Sequence, residues 1–200
     1  MRPPNCVVAL AAAMKRSVQI SVSLSVSVAF LMAGVSISAQ DKDKYAVKVP
    51  NGLAFSEFRG YEDWAVIAFS VGREKVAVTL GNAVTIDAYK RGIPGNGKPF
   101  PDGARIAKIH WIPKKQESFP GEPMVPGTLH DVGFMVKDIK RFPDSGGWGW
   151  GAFGYDEASG TFRPANAASR PPQGNDVKCG LACHAQVPNH DYVFTEYGKR

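Results

Sequence analysis

Two hundred residues suffice for one domain with a sizeable core, and 44% hydrophobic against 21% charged residues is the balance of an ordinary globular protein. Of the 24 basic residues, Arg2, Lys15 and Arg16 fall in the opening segment; the remaining 21 face 18 acids and form no cluster. That excludes a nucleic-acid partner held by a basic face.

Residues 1–39 read as a secretory signal. Lys15 and Arg16 form a basic start, and an uncharged stretch follows from Ser17 to Gln40, most apolar around Val26 to Val35. Ser36, Ser38 and Ala39 supply the small residues of a cleavage site. Met14 begins a cleaner signal than Met1. The other reading is a retained anchor, since the stretch is nearly long enough to span a membrane, but serines interrupt it. Cleavage leaves one domain over 40–200 in the periplasm.

The mature chain predicts mixed elements. Tyr61 to Phe69 has apolar spacing suited to a short helix. Val76 to Asn82 reads as a strand ending in a Gly-Asn turn. A helix from Ala83 to Arg91 is stopped by Gly92. Pro99-Phe-Pro-Asp-Gly103 is a turn that feeds a strand from Ala104 to Ile112. Strand alternation places Ile106, Lys108, His110 and Ile112 on one face, and Ala107, Ile109 and Trp111 on the other. A further strand runs from Asp131 to Asp138, and Gly146 to Phe153, rich in Gly and aromatic residues, reads as a strand or a bend. Residues 164–176 form a loop leading to the last cysteines. No internal repeat and no second domain are visible. The pattern predicts an α+β domain with a mainly antiparallel sheet.

Cys6 lies in the leader, so the mature chain keeps two cysteines, in the run Cys179-Gly-Leu-Ala-Cys183-His184. A c-type haem attachment site reads C-x-x-C-H: two thiols add to the haem vinyl groups and the histidine becomes the iron ligand. Here the spacing is one residue longer. A structural disulfide is an alternative in an oxidising compartment. Zinc is another, although two cysteines and one adjacent histidine fit tetrahedral ligation poorly.

Several segments in order resemble the cytochrome P-460 family: Tyr61-x-x-Trp64, Leu80-Gly81-Asn82, Phe100-Pro-Asp-Gly103, Phe134-Met-Val-Lys-Asp138, Gly147-Trp-Gly149, and Cys183-His184 followed by Asp191-Tyr-Val-Phe-Thr195. The resemblance covers roughly residues 55–195. It implies a curved, mainly antiparallel sheet with a few helices, often in a homodimer. It also implies one covalent haem c near the C-terminus, with five-coordinate iron and an open opposite face. Founding members of the family oxidise hydroxylamine and carry a bond from a lysine to the porphyrin. The related cytochromes c′-beta lack that bond and bind nitric oxide or carbon monoxide. Two functions follow as expectations. One is an oxidoreductase for hydroxylamine or a related nitrogen species, with a soluble cytochrome as electron acceptor. The other is a gas-binding or electron-transfer protein.

The site residues can then be assigned. The motif and the resemblance imply that Cys179, Cys183 and His184 hold the haem, with His184 on the iron and the role of Cys179 left open by the longer spacing. Lys108 falls where the family's cross-linking lysine lies; burial disfavours an ammonium and so makes an amine available as a nucleophile. Its other reading is a lysine snorkelling from a sheet edge, and Lys114, Lys115 and Lys137 are rivals. Proton transfer from a substrate needs an acid or base, for which Asp131 and Glu122 are candidates; both could equally be turn residues. His110 and His130 either reach the pocket or are ordinary strand-end residues, and His190 reads as exposed. Phe134, Phe153 and Trp148 are wall candidates, or simply core.

Overall fold

The computed structural model describes residues 43–47, 53–164 and 180–200. The expected signal, Cys179 and the loop beyond Pro164 lie outside them. Among the described residues no helix is long and apolar enough to cross a membrane.

The strands are β1 (Ala65–Val71), β2 (Val76–Gly81), β3 (Arg105–Lys115), β4 (Met124–Lys137), β5 (Trp148–Asp156) and β6 (Thr161–Pro164). Each pairs with the next, always antiparallel, in one open sheet whose order is the chain order. Register shifts between Val66 and Ala68 in β1, and around Trp111 in β3, mark bulges that bend the strands. Among the described residues two α-helices accompany the sheet: α1 (Ala83–Lys90) between β2 and β3, and the single turn α2 (Ala182–His184). This is the α+β, curved, mainly antiparallel fold that the sequence predicts.

One element differs. The segment expected to be helical from Tyr61 to Phe69 is a 3-10 turn over Tyr61–Asp63 followed by strand β1. Its Val, Ile and Phe residues suit a pleated surface, and pairing with β2 from Val66↔Leu80 to Val71↔Val76 satisfies a backbone that a short helix would leave half unpaired. Strand β4 also starts seven residues before the expected Asp131, at Met124. The helix α1 follows the expectation. Asn82 caps it, its Oδ1 accepting from the Thr85 backbone N–H at 3.0 Å and from Arg105 N–H at 3.1 Å. Gly92, at φ 82°, ends it in a conformation that glycine adopts without strain.

The sheet has a packed core on each face. Leu80, Ala107, Val132, Phe134 and Phe153 bury one face against Leu53, Phe55 and Phe58 from the chain preceding β1. Phe58 stacks on Phe134 at 4.1 Å, and Phe55 meets Phe153 edge-on at 4.8 Å. On the other face, Ile106, Met135, Trp148 and Trp150 pack with Ile86 and Tyr89 of α1, Phe100, and Val193 of the C-terminal segment.

Candidate functional site

The second face is built from cross-strand rows. Thr79, Lys108, Gly133 and Ala152 stand opposite one another across β2 to β5. Beside them run Gly81, Ile106, Met135 and Trp150, and on the other flank Ala77, His110, Asp131 and Gly154. A cavity of about 360 Å³ lies over these rows, within the usual range for a small-molecule pocket. Its sheet wall includes Thr79, Ile106, Lys108, His110, Met135 and Trp150; Cys183, His184, Val193 and Phe194 close it from the C-terminal segment. A Cβ built on Gly133 would meet no atom within 4 Å, so the missing side chain leaves room in the cavity floor.

The C-terminal segment presents its histidine by backbone design. The Ala185 N–H bonds to the Leu181 carbonyl at 2.7 Å, closing the turn that carries Cys183 and His184. Gly180 permits this turn to lie against the sheet: a Cβ there would meet Trp150 at 2.7 Å. The chain then reverses through Asp191 and Tyr192, both at positive φ (48° and 62°), an arrangement that is strained for residues other than glycine. That reversal places the Tyr192 carbonyl 2.6 Å from His184 Nδ1. A carbonyl only accepts, so Nδ1 carries the proton and Nε2 keeps its lone pair. Burial pushes the His184 pKa down; the bond to Tyr192 opposes this and the positive charge of Lys108 adds to it. The neutral imidazole thereby favoured is the metal-ligating form. The ring lies between Trp150 and Phe194, at 5.3 and 5.1 Å.

A buried ion pair holds the reversal in place. Lys137 Nζ donates to Asp191 Oδ1 and Oδ2 at 2.7 and 2.8 Å and to the Gly146 carbonyl at 2.7 Å. Asp191 Oδ2 also accepts from the Phe100 N–H at 2.7 Å.

The structure therefore brings Lys108, His110, Cys183 and His184 to one cavity. Asp131 stands behind His110, its Oδ1 2.6 Å from His110 Nδ1. Glu122 pairs with Lys115 in the exposed β3–β4 turn. Lys114 is exposed at the end of β3, and Lys137 belongs to the Asp191 pair. His130 bonds Asp131 near the surface, and His190 is exposed. Of the expected wall aromatics, Phe153 and Trp148 are core; Phe134 borders the cavity, but its ring stacks on Phe58. The aromatic walls are instead Trp150 and Phe194. Strand alternation from Trp148 could have found Trp150; nothing local marks the exposed Phe194 as a neighbour of His184.

Residues 58–195 match the model of the Cytochrome P460 family, over half of the chain. The chain belongs to the cytochrome P460 family. No curated protein matches it. Membership makes this a haem protein, and the residues of the cavity fit that group. His184 Nε2 has no partner among the described residues. The Cys183 thiol is free beside it. Among the described residues the buried Nε1–H of Trp150, like that of the core residue Trp148, has no acceptor, and Trp150 lines the cavity. In this cytochrome P460-family chain, sheet and C-terminal segment thus supply opposite walls of a largely apolar pocket with one nitrogen ligand prepared.

Proposed function

We propose that this protein is a periplasmic c-type haem protein that oxidises hydroxylamine or a related small nitrogen species and passes the electrons to a soluble cytochrome. The observation that supports it is the meeting of the adjacent pair Cys183-His184 with Lys108, distant in sequence, at one cavity. Haem bound there supplies an iron centre that takes electrons from a nitrogen ligand. His184 holds the metal through Nε2, while the Tyr192 carbonyl fixes the ring. Cys183, with Cys179, forms the thioether attachment. Lys108 stands on the sheet wall of the same cavity, where its amine would lie beside the bound porphyrin. Thr79, Ile106 and Gly133 line the cavity with it. A homodimer belongs to the same reading.

One observation favours a second reading, a gas-binding protein like the cytochromes c′-beta: among the described residues no Asp or Glu lines the cavity. Spectra separate the two. Haem should stay on the mature protein in a denaturing gel, and haem that extracts into acidified organic solvent refutes attachment. Lys108→Leu should return the ferrous spectrum to that of an ordinary c-type haem and abolish most hydroxylamine oxidation, with carbon monoxide binding retained. An unchanged spectrum would replace the oxidase with the gas-binding protein.

A further inference from the structure

His110 and Asp131 are register partners on β3 and β4, and His110 lines the cavity while Asp131 sits behind it. His110 Nδ1 lies 2.6 Å from Asp131 Oδ1. The second carboxylate oxygen is held separately: His130 Nδ1 lies 2.5 Å and Lys75 Nζ 3.3 Å from Asp131 Oδ2. The outer pair reaches solvent, with side chains 36% and 44% exposed for Lys75 and His130, against 24% and 19% for His110 and Asp131. Clamped at both oxygens, the carboxylate cannot turn away from His110. Burial alone would raise the Asp131 pKa, but the His110 bond and charge, the His130 bond and Lys75 together hold it well below the usual carboxylate range. An ionised carboxylate accepts the Nδ1–H of His110 and so leaves Nε2 as the unprotonated nitrogen.

We propose that His110, oriented by Asp131, is the proton-accepting group of this cavity, serving small protic ligands such as hydroxylamine. The proposal rests on the haem reading above and deepens it. In the step, the ligand's bond to hydrogen breaks, its electron pair stays on the ligand, and the proton forms an N–H bond at His110 Nε2. No electron leaves the pair of reactants. The resulting imidazolium faces the Asp131 carboxylate, as in other carboxylate–histidine pairs. Asp131 keeps no proton, so the proton returns to solvent from Nε2 through the cavity mouth. Asp131 is a positioning residue, and the titratable groups beside the pair or lining the same cavity are Lys75, Lys108, His130 and His184.

Hydrogen cyanide is the probe for the haem-loaded protein, because it arrives neutral and binds as an anion after losing a proton; carbon monoxide loses none. His110→Gln should slow cyanide association by about 10²–10⁴-fold and leave carbon monoxide association within about twofold. Asp131→Asn should move the pH profile of cyanide association. In ¹⁵N spectra of the diamagnetic carbon monoxide complex it should also shift the His110 proton from Nδ1. An unchanged cyanide rate in His110→Gln overturns the proposal. Equal slowing of both gases does too, because it marks a packing defect. So does a Lys108→Leu variant that alone loses the fast cyanide rate, which would make lysine the acceptor. A wild type that oxidises no hydroxylamine but shows the His110-dependent cyanide rate removes the oxidase reading and supports the proton acceptor.

Discussion

Lys108 and Lys137 face the same side of the sheet by register, yet they meet different surroundings. Lys108 opposes Gly133, and the absent side chain leaves its stem beside open space. Lys137 opposes Trp148 and has 3% of its side chain exposed, its ammonium 5.1 Å from the indole and bonded by three oxygens. A buried ammonium so satisfied is a structural group whose loss strands the carboxylate of Asp191. Lys137→Met should therefore destabilise the protein by about 3–5 kcal/mol. The urea midpoint should fall at constant slope. The same variant should alter the ligand-field spectrum, since Asp191 precedes the carbonyl that orients His184. A normal midpoint would show that the Asp191–Tyr192 reversal holds itself.

At the scale of elements, β4 explains how a sheet hosts a cofactor-sized pocket. Its inward residues over this stretch are Asp131, Gly133 and Met135: a clamped acid, no side chain, and a flexible apolar wall. On the opposite face Val132, Phe134 and Val136 keep the core filled. One strand thus packs tightly on one side and yields space on the other, because successive side chains alternate. Gly133→Leu should project into the cavity without meeting protein atoms near Cβ. Folding stability should change by less than about 1 kcal/mol, as no buried contact is lost. Carbon monoxide binding or haem incorporation should drop sharply. Normal haem content with normal gas affinity would mean that Gly133 borders the pocket outside the ligand's path.

Across the whole molecule, acid stability reports the Lys75, His110, Asp131 and His130 group, which ties the β1–β2 turn to β3 and β4. The folded-state pKa of Asp131 lies well below its usual value near 3.8. Its contribution to stability is therefore fully present above that value and is lost as the pH falls through the range beneath it. Denaturant unfolding measured from neutral pH to about pH 2 should show a steeper acid limb for the wild type than for Asp131→Asn. The two curves should draw closer towards the acid end. Parallel curves would mean that the clamp forms only weakly in solution.

The sequence by itself determined the Cys183-His184 pair, the α1 segment between its Asn82 cap and Gly92 stop, the alternation that puts Ile106, Lys108 and His110 on one face, and the family. These are local or ordered signals: adjacency, turn chemistry and a period of two are written along the chain. Tertiary structure decided the rest. Residues Ala65–Val71 became a strand because β2 was available to pair, a partner that local spacing does not reveal. Trp150 and Phe194, rather than Phe153 and Trp148, became walls because burial depends on what packs on each face. The Tyr192 carbonyl met His184 through an αL reversal anchored by a lysine on a different strand. Asp131 came to face a histidine and not the cavity through the register of β3 on β4. Which side chain stands opposite which is settled by long-range pairing, and that is why the chemistry of the site required the fold.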